Sequence, residues 1–329
     1  MRICYVAPAA HPHTKKWVSA FRDRGYDISV VEPTKKNFIM KALEAKRMIK
    51  KIQPDIIHSH YIVGYGVFGA FSGRHPFIMS CWGSDVRTDP KTFIKNRLTK
   101  YVLKKADVVH VQDPLMAERV NEIYPHKNIF IQQWGVNLNI FKSGKSTFIE
   151  TDYPLVLCTR NTKPLYDIET LIRSLPLVLK QTDVIFVFTN PGFSNLPGIP
   201  PENLRITGFL DLKDYVKLVQ SCNIYVDTFY PTDERGGQSY GQALLEAMAS
   251  EIPTLVADRP TLHILPSWYF GETFKAGDPV DLAKKLINLI NNEERQKEIV
   301  RKNKEEVSKN FDWNKNMARI EKEVYRKME

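Results

Sequence analysis

Short runs rich in apolar residues recur along this chain, most of them followed by a helical stretch, and this alternation constrains the fold more than any other feature. Residues 1–7, 27–31, 54–60, 77–81, 107–111 and 128–131 read as buried strands, with helices over 15–24, 37–52, 91–106, from Gly64 and from Pro114. Strands joined through helices by short links form a parallel, doubly wound α/β sheet. The pattern restarts at 154–159. It continues through strands near 184–188, 204–207, 224–226 and 254–257 and helices near 168–179, 212–220 and 241–249. Gly277-Asp278-Pro279 opens a helix over 280–290 with Asp278 as N-cap, and two charged helices, 293–309 and 313–328, follow. The 329 residues therefore divide into two Rossmann-like units. The polar, poorly periodic stretch 142–153 is the expected linker, giving domains 1–143 and 144–310 and a closing helix 311–329.

No run approaches the roughly 18 apolar residues of a membrane span, and the first residues do not read as a secretory leader. The expectation is a soluble, cytoplasmic protein. Cys4, Cys81, Cys158 and Cys222 are far apart and lie in or beside apolar runs, which favours buried thiols over disulfides or a metal site. The formal net charge is +10, and its placement matters more than its size. Residues 35–53 carry seven Lys or Arg against Glu44, and residues 91–105 carry six against no acid, both with apolar residues interleaved. Two core-packing helices with solvated basic backs would look like this. So would a surface that meets anionic lipid headgroups on the cytoplasmic face of a membrane. No nucleic-acid module accompanies the charge.

Residues 236–257 read as a glycine-rich loop, a short helix and a buried strand. Unpaired N–H groups and the positive end of the helix dipole at such a start favour phosphate. Glu246, one turn inside, can accept hydrogen bonds from ribose hydroxyls, although a solvated Glu on an ordinary amphipathic helix has the same spacing. With Tyr240-Gly241 and Leu245-Glu246-Ala247-Met248-Ala249 followed by Pro253, the stretch resembles the donor-site signature of the family 4 glycosyltransferases, which are retaining enzymes of GT-B fold. The likeness spans nearly the whole chain. Residues 134–141, the Gly277-Asp278-Pro279 stretch with Leu282-Ala283, and the closing Phe311-Asp312-Trp313 with Tyr325 resemble further family segments.

The resemblance implies two Rossmann-like domains facing across a cleft, the second holding the nucleotide sugar and the last helix crossing back to the first. It places Arg160 on the diphosphate, where a guanidinium can fork onto phosphate oxygens. The family's following Lys is replaced by Tyr166, and Lys163 is the nearby substitute. The N–H groups around Ser239, Tyr240, Gly241 and Gln242 would contact phosphate and sugar, and Glu246 the ribose. In the first domain Asp85 and Trp82 fall on the family's His-Gly-Ser-Asp, with Trp82 in place of His. His11, His13 and Thr14 belong to the loop that approaches diphosphate and acceptor. His58 and His60 end a strand facing the same cleft, and packing is the better reading of at least one. Gln238 stands where the family has the first of two Glu separated by seven residues. A neutral amide there loses charge that stabilises an oxocarbenium ion but still binds hydroxyls.

The expected activity is thus metal-independent, retaining transfer of a hexosyl group, with Gln238, Asp85 and Trp82 at the reacting sugar. The donor would be a UDP- or GDP-sugar and the acceptor a hydroxyl compound, lipid-linked or at a membrane surface; no cofactor and no metal is implied. The substitutions Trp82, Tyr166 and Gln238 keep open a catalytically silent sugar-nucleotide-binding subunit. A nicotinamide oxidoreductase has little support, since Gly-x-Gly-x-x-Gly is absent after either first strand.

Overall fold

The computed structural model describes residues 1–87, 92–144, 146–190, 196, 199–229, 241–263 and 269–328. It forms two compact units, Met1–Trp134 with Asn314–Glu329, and Gly135–Trp313. The first unit holds β1 (Arg2–Val6), β2 (Asp27–Val31), β3 (Ile56–His60), β4 (Phe77–Ser80), β5 (Val108–Val111) and β6 (Ile129–Ile131). All pair in parallel in the order β2-β1-β3-β4-β5-β6. The second unit contains β7 (Leu155–Cys158), β8 (Ile185–Phe188), β9 (Leu204–Ile206), β10 (Ile224–Asp227), β11 (Thr254–Ala257) and β12 (Glu272–Phe274), in the order β12-β11-β10-β7-β8-β9. β12 has only three residues and carries Glu272, so periodicity did not reveal it.

Each order reverses direction once, between β1 and β3 in the first sheet and between β7 and β10 in the second. At such a point neighbouring crossovers leave in opposite directions, and the carboxyl ends of the two strands border an open crevice. Helix starts are set by local chemistry: the side chains of Asn37, Thr92, Asp113, Asp211, Asp278 and Asn292 each accept a backbone N–H of the first turn. Pro12 and His11 start their helix at Pro12, three residues before the expected Lys15, so His13 and Thr14 lie in its first turn. The four cysteines are buried free thiols.

The closing segment 314–329 belongs to the first unit and is held there by a buried polar chain. The Tyr325 hydroxyl lies 2.7 Å from that of Tyr5 and 2.6 Å from Nδ1 of His58. Nε2 of His58 is 2.7 Å from Oγ of Ser80, which is 2.8 Å from Nδ1 of His110, whose Nε2 is 2.8 Å from the Gln132 carbonyl. One proton arrangement satisfies every member. The Gln132 carbonyl only accepts, so His110 donates to it through Nε2 and accepts from Ser80; Ser80 then accepts from His58, His58 from Tyr325, and Tyr325 from Tyr5. Both imidazoles are neutral in this scheme. Burial pushes His110 down to about 4 and holds His58 well below the ordinary histidine value.

Two consequences can be measured. Tyr325→Phe leaves His58 without its donor and Tyr5 without its acceptor, both buried, and should cost about 1–3 kcal/mol in urea unfolding. Histidines of the unfolded chain take up protons near pH 6.5, but His110 in the folded protein does so only near 4, so stability is complete above about 6.5 and declines as the pH falls through this window. Thermal unfolding should show a melting temperature lower at pH 5 than at pH 7.

Candidate active site

In the second unit the site assembles at the reversal between β7 and β10. β7 ends at Cys158, which carries Arg160 to the carboxyl edge, and β10 ends on Asp227 beside it. Nε and Nη2 of Arg160 donate to the two carboxylate oxygens of Asp227, each at 2.7 Å. Arg259, which follows β11, donates to the same carboxylate at 3.3 Å. Arg160 is 8% exposed, whereas Asp227 and the Arg259 side chain are fully buried. Burial alone would raise the Asp227 pKa, but the two guanidinium groups outweigh it and hold the carboxylate below its usual range. Burial likewise opposes the charge of Arg160, and Asp227 more than compensates. The carboxylate thus keeps a cation in a place where an unpaired one would be too costly.

The guanidinium is also fixed from its faces. It lies 5.0 Å from the ring centroid of Tyr166 and 6.0 Å from that of Phe229. Tyr166 therefore offers its ring to the guanidinium where the family places a lysine. Gly241 caps the helix Gln242–Ala249, and a Cβ at this position would stand 2.5 Å from Nη2 of Arg160. The glycine is needed for space, since its φ of −63° suits any residue. Arg160 consequently abuts the start of that helix, whose first-turn N–H groups have no side-chain cap among the described residues. The Nε/Nη2 fork is turned onto Asp227, and Nη1 takes no part in that pair.

Glu246 is half-buried, and its Oε2 accepts from the Tyr215 hydroxyl at 3.1 Å. Burial first, and Glu246 next, raise the Tyr215 pKa well above its ordinary value, so the phenol keeps its proton and donates. Gln242 buries Nε2 with no hydrogen-bond partner among the described residues. Lys163 is exposed, its backbone N–H bonded to the side chain of Asn161. Gln238, Ser239 and Tyr240 lie outside the described residues.

The first unit gathers a second group at the carboxyl ends of β1, β3 and β4. Trp82 donates through its indole N–H to Nδ1 of His60 at 3.1 Å. Its ring centroid is 4.8 Å from His11, 5.5 Å from His13 and 5.9 Å from Trp134. Burial, with His11 adding to it, lowers His13 to about 4, and burial lowers His60 to about 3, so this cluster is neutral at physiological pH. Thr14 is buried beside it. Asp85 is fully buried and accepts from the backbone N–H groups of Trp82 (3.0 Å), Gly83 (2.8 Å) and Ile62 (3.1 Å). Burial raises its pKa to about 6 against those hydrogen bonds. With no exposed surface, Asp85 reaches a ligand only through the Trp82-Gly83 loop that it shapes. His58 is committed to the Tyr325 chain, as the packing reading requires.

Sequence reasoning missed Asp227, Arg259 and Trp134. The available signal for Asp227 was a carboxylate ending the apolar run Ile224-Tyr225-Val226; Trp134 read only as the start of a connecting segment.

Two such units, each a six-stranded parallel sheet flanked by helices, define a protein of the GT-B class. The pattern described as "Glycosyl transferases group 1" matches residues 140–306, and "Glycosyl transferase 4-like" matches residues 2–42 and 33–113. The chain belongs to this glycosyltransferase family. An uncharacterized glycosyltransferase of Methanocaldococcus jannaschii is 26% identical over 294 residues, covering 86% of this chain and 78% of the relative. The N-acetyl-alpha-D-glucosaminyl L-malate synthase of Bacillus anthracis is 21% identical, covering 96% and 83%. In fold, the chain is similar to sucrose-phosphate synthase from Thermosynechococcus elongatus, with TM-score 0.77, 15% identity and coverage of 100% and 99%. It is also similar to Anabaena HepE in complex with UDP, with TM-score 0.75, 13% identity and coverage of 99% and 100%.

Replacing Asp227 with Asn removes the charge shared by two buried guanidinium groups. The variant should lose about 3–5 kcal/mol of stability in denaturant unfolding, the usual cost of stranding a buried charge.

Proposed function

We propose that this glycosyltransferase moves a sugar, with retention at the anomeric carbon, from a nucleotide diphosphate to a hydroxyl acceptor, and that the acceptor is lipid-linked. The observation that carries the donor half is the Arg160 guanidinium, held by Asp227 against the first turn of the helix Gln242–Ala249. A fixed cation beside free backbone N–H groups suits a diphosphate and offsets the charge that departs with it. Lys163, exposed on the adjoining loop, adds charge from its flank. Glu246, oriented by Tyr215, holds the ribose. Solved proteins of similar fold are described in complex with UDP and with UDP-glucose, which favours uridine as the base.

In the transfer, the bond between the anomeric carbon and the diphosphate oxygen breaks, and the acceptor oxygen bonds to the same face of that carbon. The acceptor proton passes to the departing phosphate, so no protein nucleophile is required. Gln238 orients the sugar, and in the first unit Trp82, His11 and His13 serve the acceptor side, with Asp85 holding the Trp82 loop. Cationic side chains and a helix start take the place of a metal ion.

The test is calorimetric binding of UDP, GDP, ADP and their common sugar conjugates to the wild type and to Arg160→Ala, with folding checked by thermal unfolding. Binding by one base, weakened at least roughly tenfold in the variant through loss of a charge-assisted contact, is the expected result. Absence of binding to any of them in a folded protein would sink the donor site. Binding without donor hydrolysis or transfer on any acceptor would favour the silent subunit.

A further inference from the structure

We propose that the first unit docks on an anionic lipid bilayer through the first turns of two helices, Phe38–Ile52 and Phe93–Lys105. The crossovers from β2 to β3, β3 to β4 and β4 to β5 all move the same way across the sheet, and right-handed connections place their helices on one face. Residues of all three pack in a single core with that face of the sheet. Each helix begins beyond the carboxyl end of the strand before it, so the two first turns share both a face and an end. The short helix Val67–Ser72 packs against both.

These first turns expose their apolar residues. Ile39 is 68% exposed, Met40 48%, Phe93 74% and Ile94 71%. The core takes Ala42, Ala45 and Ile49 from one helix and Thr99, Val102 and Leu103 from the other. Amphipathic periodicity assigns all the apolar residues to one buried stripe, whereas the fold buries only the later turns.

The charge along and just before these helices identifies the occupant. Lys35, Lys36, Lys46, Arg47, Arg97 and Lys100 are exposed, with no ion-pair partner among the described residues. Glu44, the acid of this stretch, is turned back to accept the N–H groups of Lys35 and Thr34. A second copy of the same patch would set unpaired cations against each other. An anionic bilayer instead accepts the apolar tips at the headgroup boundary and the cations at its phosphates. This inference does not rest on the donor site.

Flotation of the full chain with vesicles tests it. Vesicles of phosphatidylcholine with roughly 30% phosphatidylglycerol should bind at least about tenfold better than phosphatidylcholine alone, and salt raised from about 0.1 to about 0.5 M should release the protein. The double variants Phe93→Ser/Ile94→Ser and Ile39→Ser/Met40→Ser should each float poorly while keeping wild-type melting temperature and nucleotide binding. Three results would overturn the proposal: no flotation, equal binding to both vesicles, or variants that float like the wild type. Self-association of the wild type in light scattering, abolished by the same variants, would overturn it in favour of a dimer.

Discussion

One carboxylate organises the second unit. Asp227, at the end of β10, holds Arg160 from the end of β7 and Arg259 from beyond β11, tying three neighbouring strands at their carboxyl edge. A lone guanidinium in that position would be expelled toward water or forced to rotate. Paired with a buried carboxylate and flanked by Tyr166 and Phe229, it is held in one orientation, with a glycine yielding the space for its Nη2. Such fixed charge is what electrostatic catalysis requires, because a preorganised cation pays no reorganisation when the substrate's charge develops.

The first unit solves a different problem with neutral groups. Its buried chain from Tyr5 through Tyr325, His58, Ser80 and His110 to Gln132 has one proton arrangement that pairs every donor with an acceptor. Each member constrains the tautomer of the next, so the chain locks the closing segment into place and leaves His58 unable to serve a ligand. Its neighbour His60 takes the indole N–H of Trp82 instead. Two histidines separated by a single residue therefore have separate tasks. Their alternation along β3 does not reveal this, because both are buried.

Much of the fold was legible because its causes are local. Apolar runs of strand length, the helix cap Asp278, and the spacing from Gly241 to Pro253 are properties of adjacent residues, and each was recognisable before any contact was known. The resemblance to family 4 rested on those same local spacings, and the family match bears it out. Arg160, Gly241 and Glu246 were singled out on that footing, and the structure brings Arg160 and Gly241 into contact.

What the sequence by itself determined is therefore the order of strands and helices, the family, and which residue types stand at each carboxyl edge. Only the tertiary structure decided which of them meet. Arg160 and Asp227 are 67 residues apart, and their pairing follows from β10 lying beside β7. Tyr325 reaches His58 across 267 residues because the last segment returns to the first unit. Likewise, the apolar residues of the two basic helices divide between core and solvent according to how far each turn extends past the sheet. Periodicity records the face of a residue on its own element; the neighbouring elements determine whether that face is covered.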